Sequence, residues 1–406
     1  MLVLKMNTTA RYVCLVVAVI IGLHTILSFT HEDYGRVTSL SHIAAQLPWS
    51  GTTPGMEPVP DEYYVSPEPS STAGNSTARQ SATLLMLARN SDVENAVRSV
   101  RELEDKFNKK FNYPWTFLNE EEFSDEFKQR VSNVVSGPVS FGLIPHDHWF
   151  QPDSIDEAKA TAAREKMQKD NIIYGGSVSY RNMCRFNSGV RAIVLIAVPH
   201  IPILQQFFYR HALLQQYKWY WRVEPDVHFH CDIDFDPFKY MEDNNKVYGF
   251  TITMYEYFAT IPTLWDTVMK FARENPQYVS PNNAMGYISD NGGQSYNLCH
   301  FWSNFEIASM EFWRGEAYSK FFETLDATGG FYYERWGDAP VHSLGVALFA
   351  DKNQIHFFDD IGYEHNPYTH CPRGAGKWEK GKCACNPDRS FDYDGYSCMK
   401  QWERIW

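Results

Sequence analysis

The sequence predicts a layered α/β domain, preceded by a transmembrane helix and a flexible stem. From Ala82 onward, apolar strand-like runs alternate with helix-like segments, and this alternation is typical of α/β layers. Residues 219–241 begin as an apolar, aromatic run and then meet Glu224, Pro225 and Asp226. Because Pro225 fixes its own φ and biases Glu224 toward an extended conformation, this stretch predicts a buried strand that ends in a turn.

The N-terminal region predicts a membrane anchor of type II topology. Residues 12–29 form an apolar run, and a helix of that length spans about 27 Å, close to the thickness of the hydrocarbon core. Lys5 and Arg11 precede the run, so residues 1–11 are expected to form a cytoplasmic tail. A cleaved signal peptide is the alternative, although no clear cleavage site follows the run. Residues 30–81 are rich in Pro, Ser, Thr and Gly, which predicts a disordered luminal stem.

Composition narrows the function classes. The net charge of −12 argues against a nucleic-acid partner, because binding of phosphates needs a basic face. Aromatic residues make up 16% of the chain, which suits either the stacking of sugars and bases or a large aromatic core. Most of the cysteines that follow the anchor are expected to pair in an oxidising lumen, with at least one left free. These cysteines are Cys184, Cys231, Cys299, Cys371, Cys383, Cys385 and Cys398.

The beginning of the domain shows the strand and helix alternation most clearly. Residues 82–88 predict a buried first strand, and Ser91 with Glu94 predicts a capping box for the helix that follows. A second strand is predicted at 114–118, and a second helix is predicted to begin at Ser124. In α/β sheets, ligands bind beyond the carboxyl ends of the strands, so this edge is the expected binding site.

Two carboxylates at the end of a central strand indicate a site for a divalent cation. Glu224 and Asp226 flank Pro225 at that position, and the alternative is a pair of solvated acids at a turn. Arg222, which precedes them, is expected to be an ion-pair partner of a neighbouring carboxylate. Two further acidic or histidine-rich segments also resemble metal sites. We expect the acids of 232–236 to be structural or solvated, and we give 146–148 no metal role.

Three segments together carry a family resemblance. They are WRVEPD at 221–226, NLCHFWSNFEIA at 297–308 and ERWGDAPVHS at 334–343. In this order and spacing the sequence resembles the fungal α-1,2-mannosyltransferases of glycosyltransferase family 15, from about Ala82 to the C-terminus. The resemblance implies a GT-A-like α/β/α catalytic domain over 82–406, with a mixed central sheet.

The resemblance also implies roles for individual residues. Glu224 and His365 would bind Mn²⁺, a pairing of carboxylate and imidazole that suits this ion. Glu306 would be either the nucleophile of a covalent retaining mechanism or an electrostatic stabiliser of front-face transfer, and the sequence leaves both open. The residues expected to contact the donor or the acceptor are Arg89, Tyr174, Tyr180, Asp226, Glu256 and Asp338.

The implied activity is transfer of mannose from GDP-mannose to the 2-hydroxyl of a terminal mannose, with retention of configuration. The acceptors would be O-linked or N-linked glycans of secretory and cell-wall glycoproteins, and the enzyme would be anchored in the Golgi membrane with its catalytic domain in the lumen. Transfer of mannosylphosphate on the same fold is one alternative. An inactive protein that binds or scaffolds mannan is the other.

One segment departs from the family pattern. Residues 190–206 add seventeen mostly apolar residues between Gly189 and Phe207, and removing them restores the pattern. The first codon of the segment, for Val190, begins with GT, and its last codon, for Gln206, can be CAG. These letters fit the two boundaries of an intron, so we interpret the segment as a retained intron that is translated. The alternative is a genuine additional strand or loop.

Overall fold

A seven-stranded mixed sheet lies at the centre of the computed structural model, which describes residues 79–189, 208–374 and 376–406. All these residues belong to one compact unit that spans 66–406. The sheet order is β10-β6-β9-β4-β1-β2-β3, and β9 runs antiparallel to both of its neighbours. The predicted mixed central sheet is therefore confirmed, with the predicted central strand at β4 and the first strand, β1, beside it.

The strands of the described residues fall into this sheet and two smaller ones, of order β12-β11-β5 and β7-β8. Their bounds are β1 Ala82–Leu87, β2 Trp115–Asn119, β3 Val139–Leu143, β4 Trp219–Arg222, β5 Val227–Phe229, β6 Tyr248–Phe250, β7 Thr253–Tyr255, β8 Cys299–Phe301, β9 Glu306–Ser309, β10 Ile355–Phe357, β11 Tyr363–His365 and β12 Tyr368–His370.

Helices cover the faces of the sheets and connect their strands. In chain order they are α1 Val93–Leu103, α2 Lys109–Phe111, α3 Asp125–Ser132, α4 His146–Trp149, α5 Glu157–Lys169, α6 Val178–Ser188, α7 Pro237–Asp243, α8 Leu264–Glu274, α9 Met285–Ile288, α10 Met310–Arg314, α11 Glu316–Thr328, α12 Gly330–Tyr333, α13 Asp338–Phe349 and α14 Met399–Glu403.

Of the two predicted helix starts, the structure confirms one and contradicts the other. Ser124 caps α3 as expected, with its hydroxyl accepting from the backbone N–H of Phe127 at 3.1 Å. The predicted capping box of Ser91 and Glu94 is wrong. A 3₁₀ turn begins at Asn90 instead, and the carboxylate of Asp92 accepts the backbone N–H of Arg89 at 2.9 Å. Asp92 thus caps the turn that starts after Arg89, two residues before Ser91. The capping box of Ser91 and Glu94 does not form.

Disulfides tie the C-terminal region to the domain, as predicted. Cys231 pairs with Cys383, Cys299 with Cys398 and Cys371 with Cys385. Among the described cysteines only Cys184 is free, and it is buried. The first bridge lies just beyond β5, and the third lies just beyond β12. Phe229 and His370 lie at the same end of the small sheet of β5, β11 and β12, so both covalent links hold that one end.

The predicted cytoplasmic tail, anchor and most of the stem, at 1–11, 12–29 and 30–78, lie outside the described residues, as does 190–206. Within the parts of the chain that the structure does describe, no helix is both long and apolar enough to cross a bilayer. The anchor and the stem therefore stay predictions.

The residues that flank 190–206 come together on two side chains. Ser188 offers its carbonyl oxygen to the hydroxyl of Tyr318 at 2.8 Å, and the ring of Tyr209 packs against Tyr318 with centroids 6.3 Å apart. His342 makes a similar bridge, because its Nε2 is 2.8 Å from the carbonyl oxygen of Asn187 and its ring centroid is 6.2 Å from that of Phe208. The core residues before and after the segment are thus connected through Tyr318 and His342.

We therefore expect that the luminal chain folds without residues 190–206. Deleting them should leave the far-ultraviolet circular dichroism spectrum and the thermal midpoint unchanged or improved, because the flanking contacts do not involve the deleted residues. Sequencing of the spliced transcript is the companion measurement, and a cDNA without the seventeen codons is expected. A cDNA that keeps them, together with a deletion variant that no longer folds, would contradict the interpretation.

Candidate functional site

A cavity of about 630 Å³ lies beyond the end of β4, at the sheet edge where the sequence placed the binding site. Its wall gathers side chains from well-separated parts of the chain. The predicted site residues that line it are Arg89, Tyr174, Tyr180, Glu224, Glu256, Asp338 and His365. A smaller cavity of about 130 Å³ adjoins the end of β1 and shares Arg89, Met183 and Glu224 with the larger one.

The turn after β4 aims Glu224 at the cavity. Val223 still donates to the carbonyl oxygen of Leu85 at 2.9 Å, so the chain follows the sheet up to that residue. Pro225 then forces the chain out of line, and Asp226 adopts a left-handed conformation with φ of 66°. The chain reverses into β5 as a result. Asp226, which was predicted to contact ligand, is not among the residues lining the cavity.

A buried guanidinium holds Glu224 in place. Arg222 donates from Nε to Glu224 Oε1 at 2.6 Å and from Nη1 to Asp338 Oδ2 at 2.5 Å. Ser303 donates to the same oxygen of Asp338 at 3.0 Å. Burial alone would raise the pKa of the Asp338 carboxyl, but the charges of Arg222 and His342 and these hydrogen bonds outweigh it, so that pKa is lowered. Arg222 was expected to be an ion-pair partner, and this is confirmed.

His365 approaches the same cavity from β11. Its position in the register lies opposite Val227 of β5, immediately after the Glu224 turn. The imidazole stacks on Trp302 with centroids 5.2 Å apart, and its Nδ1 contacts the side-chain amide of Asn304. Burial lowers the pKa of His365, which favours the neutral ring that can bind a metal ion.

A carboxylate and a neutral imidazole at one cavity fit a divalent cation whose other ligands are substrate oxygens. Burial raises the pKa of Glu224, and the charge of Arg222 partly opposes that effect. Among the described residues, no three His, Cys, Asp or Glu side chains lie close enough to hold an ion by themselves. A cation in this cavity would therefore need further ligands from a bound molecule, and Glu224 and His365 stay predicted ligands.

Glu306 is not at the cavity surface. Its relative exposure is 1%, and it is absent from the lining. On β9 it pairs with Arg222 across the antiparallel ladder, with its carboxylate inside the core. Tyr220 and Tyr248 donate to its two oxygens at 2.6 and 3.2 Å. A carboxylate so enclosed has no open path to a sugar, which contradicts the nucleophile interpretation and leaves that of the stabiliser.

The partner of Glu306 in this core is His342. Nδ1 of His342 is 3.0 Å from Glu306 Oε2, and Nε2 is 2.8 Å from the carbonyl oxygen of Asn187. Both ring nitrogens thus have a hydrogen-bond partner, and the buried ring and carboxylate satisfy each other in the core.

Arg335 is a cavity residue that the sequence reasoning missed. It lines the cavity with a relative exposure of only 6%, and its Nε has no hydrogen-bond partner within the described part of the chain. Its guanidinium lies 5.1 Å from the ring centroid of Tyr180 and 3.8 Å from Glu256 Oε1. A signal was present in the sequence, because Arg335 stands three residues before Asp338 in the ERWGDAP segment that carries part of the family resemblance. A buried guanidinium with an unused donor is suited to an anionic ligand.

Part of the cavity wall is aromatic. Tyr174 adopts a left-handed conformation with φ of 57° and stacks on Tyr180 with centroids 4.6 Å apart. Arg89 donates to Ser179 at 2.7 Å, which links the end of β1 to helix α6. The predicted contact residues Arg89, Tyr174 and Tyr180 therefore line the same cavity as Glu224 and Asp338.

The acids of 232–236 and the histidines of 146–148 have structural positions. Asp232 pairs with Lys106 at 2.9 Å, Asp234 pairs with Lys110 at 3.4 Å, and Asp236 caps helix α7. They do not share the face of a strand, because β5 ends at Phe229. Residues 146–148 begin the short helix α4 instead of lying in a strand.

This chain is similar to known proteins in sequence and in structure. The family model described as glycolipid 2-alpha-mannosyltransferase matches residues 57–405. Glycolipid 2-alpha-mannosyltransferase 2 of Candida albicans is 55% identical over 321 residues, which are 79% of this chain and 66% of that protein.

Two solved structures are also similar to this chain. The mannosyltransferase Ktr4p of S. cerevisiae in complex with GDP is 43% identical, with a TM-score of 0.74 and coverage of 80% of this chain and 82% of that one. Core-mannan synthase A of Aspergillus fumigatus in its Mn/GDP form is 39% identical, with a TM-score of 0.73 and coverage of 82% and 87%.

Proposed function

This chain belongs to the glycolipid 2-alpha-mannosyltransferase family, and on that premise we propose that it is a retaining α-1,2-mannosyltransferase. It moves mannose from GDP-mannose to the 2-hydroxyl of a terminal mannose. The observation that carries this proposal is the cavity in which Glu224 and His365 lie beside the unused guanidinium donor of Arg335. That combination provides ligands for a cation and a positive group for a diphosphate.

Glu224 and His365 are the residues that would hold Mn²⁺, as in the Mn/GDP form of the Aspergillus fumigatus relative. When bound, the ion would neutralise charge on the leaving diphosphate. Arg222 keeps Glu224 oriented toward the cavity through its 2.6 Å hydrogen bond, so the ligand is fixed before the donor arrives. The neutral state of His365, favoured by burial, leaves a ring nitrogen able to coordinate.

Arg335 completes the positive environment of the leaving group. Its guanidinium is always charged, and its burial makes an interaction with phosphate oxygens stronger than it would be in water. The aromatic wall formed by Tyr174 and Tyr180 accommodates the donor, and Arg89 stands where the end of β1 meets the nucleotide. The small cavity at the end of β1 offers room for part of the nucleotide.

Glu306 acts as a buried electrostatic stabiliser. Its carboxylate lies opposite Arg222 in the ladder and is fixed by Tyr220, Tyr248 and His342. Retention of configuration then proceeds by attack of the acceptor on the same face that the diphosphate leaves, with a leaving phosphate oxygen taking the proton of the attacking hydroxyl. Glu256 and Asp338 are at the cavity wall, where carboxylates can accept hydrogen bonds from sugar hydroxyls.

The setting of the enzyme is part of the same proposal. Residues 12–29 anchor it in the Golgi membrane, residues 1–11 stay cytoplasmic, and residues 30–81 form a luminal stem. The disulfides of the catalytic domain, 82–406, fit an oxidising lumen. O-linked or N-linked glycans of secretory and cell-wall glycoproteins are the proposed acceptors.

Linkage analysis of the product tests the proposal directly. We expect GDP-mannose and methyl α-mannoside to give an α-1,2-linked mannobioside, because the cavity holds both a cation site and acid groups for an acceptor. A product with a phosphodiester would show mannosylphosphate transfer instead. Binding of mannan without any product would show a scaffolding protein.

A second prediction concerns Glu306. Glu306→Gln should lower kcat by about a hundredfold or more, as loss of an oriented charge does in other enzymes, while the affinity for GDP-mannose stays within about twofold. The amide replaces one of the two accepting oxygens by an NH2 donor, so either Tyr220 or the pair of Tyr248 and His342 loses its acceptor.

The matched control for that variant is Glu242→Gln, which alters an exposed glutamate that pairs with Lys218 at 2.8 Å. It should leave kcat and stability nearly unchanged. Both variants are measured by single-turnover transfer and by calorimetric titration with GDP-mannose. Near-normal turnover of Glu306→Gln would exclude the stabilising role.

A further inference from the structure

A second cavity, of about 500 Å³, lies beside the site described above. It is formed by the chain that follows His365 and by the turns near residues 388–394. Its volume is within the range of small-ligand sites. The cavity shares no lining residue with the first one, so it is a separate depression in the surface.

The two cavities share a wall. His365 and Asn366 line the first cavity, and the next two residues, Pro367 and Tyr368, line the second. Tyr396 lines the first cavity, and its ring centroid is 6.2 Å from that of Tyr368. The two cavities are therefore neighbours, and the rings of Tyr368 and Tyr396 lie between them.

Three tyrosine rings lie between the rim of the first cavity and the second cavity. Tyr257 is 53% exposed at the rim of the first cavity, and its ring centroid is 6.0 Å from that of Tyr396. The rings of Tyr257, Tyr396 and Tyr368 thus form a continuous series. Tyrosine combines an apolar ring with a hydroxyl that can hydrogen bond, a pairing that suits the mixed surface of a sugar.

The charges of the second cavity are balanced, and one of its carboxylates, that of Asp394, accepts the backbone N–H of Tyr396 at 2.8 Å. Arg373 and Arg389 line it together with Asp388 and Asp394. Within the described part of the chain, none of these four side chains forms an ion pair, although Arg373 lies over the ring of Tyr393 at 4.5 Å. An anionic ligand would meet two carboxylates, and a cationic one would meet two guanidinium groups. A neutral ligand with many hydroxyls can use donors and acceptors together.

We propose that the second cavity is a subsite for the inner sugars of an oligomannoside acceptor. The terminal mannose enters the first cavity, and the sugars that follow it cross Tyr257, Tyr396 and Tyr368 into the second. This inference rests on the proposed function, because it names the acceptor class of the same site. It makes this enzyme a polymer-extending transferase that favours acceptors of three or more mannoses over a single one.

The test compares acceptors of increasing length. KM is measured at saturating GDP-mannose for methyl α-mannoside and for α-1,2-linked mannotriose. The wild-type KM should be about tenfold lower for mannotriose, which corresponds to one or two additional hydrogen bonds. The double substitution Arg373→Gln and Asp388→Asn should remove that advantage and leave the KM values for methyl α-mannoside and GDP-mannose unchanged.

The control is Lys110→Gln with Asp234→Asn, a pair of opposite charges that line another depression of the surface. It should keep the full advantage of the longer acceptor. Thermal midpoints of all three proteins should agree, because the substituted side chains are exposed.

A KM that does not depend on acceptor length, or one that the double substitution leaves unchanged, would overturn the subsite. Loss of transfer to every acceptor would instead count against the proposed function. In that case calorimetric titration of mannotriose in the presence of GDP and MnCl₂ decides the subsite separately. Binding that the double substitution abolishes would support it, and absence of binding by the wild-type protein would overturn it.

Discussion

The position of one buried guanidinium determines the geometry of the site. Arg222 ends the central strand β4 and binds Glu224 on one side and Asp338 on the other. Two carboxylates so close together would repel each other without it, and removing one partner of such a buried group costs about 3 to 5 kcal/mol. The contact also joins distant segments, because Asp338 begins helix α13. Glu224 is therefore fixed by the fold, and its orientation does not depend on a ligand.

The turn that follows Arg222 brings in the second proposed ligand. Pro225 and the left-handed Asp226 send the chain back into β5, which pairs with β11 and so carries His365 to the same cavity. The disulfides of Cys231 and Cys371 lie at the end of this small sheet opposite to His365. The C-terminal region thus contributes a side chain to the cavity, and its cysteines hold the far end of the sheet that carries this side chain.

Local signals in the sequence predicted part of this arrangement. The strand before Glu224, the Ser124 cap and the ion-pair role of Arg222 follow from apolar runs, capping preference and charge, and all three are confirmed. A cavity lies at the predicted strand edge, and its use as the binding site stays a prediction. The depth of Glu306 could not be predicted, because it depends on the pairing of β9 with β4, which are distant in sequence. Arg335 was missed for a similar reason: its unused Nε is visible only when its neighbours in space are known. Family resemblance suggested the contact residues, of which Arg89, Tyr174, Tyr180, Glu256 and Asp338 line the cavity and Asp226 does not.

The central claim is that a cation held by Glu224 and His365 fixes GDP in this cavity. Calorimetric titration of the luminal protein with GDP, with MnCl₂ and then with excess EDTA, tests it most directly. We expect at least about a tenfold loss of affinity in EDTA, equivalent to 1.4 kcal/mol, and the same weak affinity with MnCl₂ in Glu224→Gln and His365→Ala. Equal affinity for GDP in MnCl₂ and in EDTA, with both variants binding as tightly as the wild type, would contradict the account.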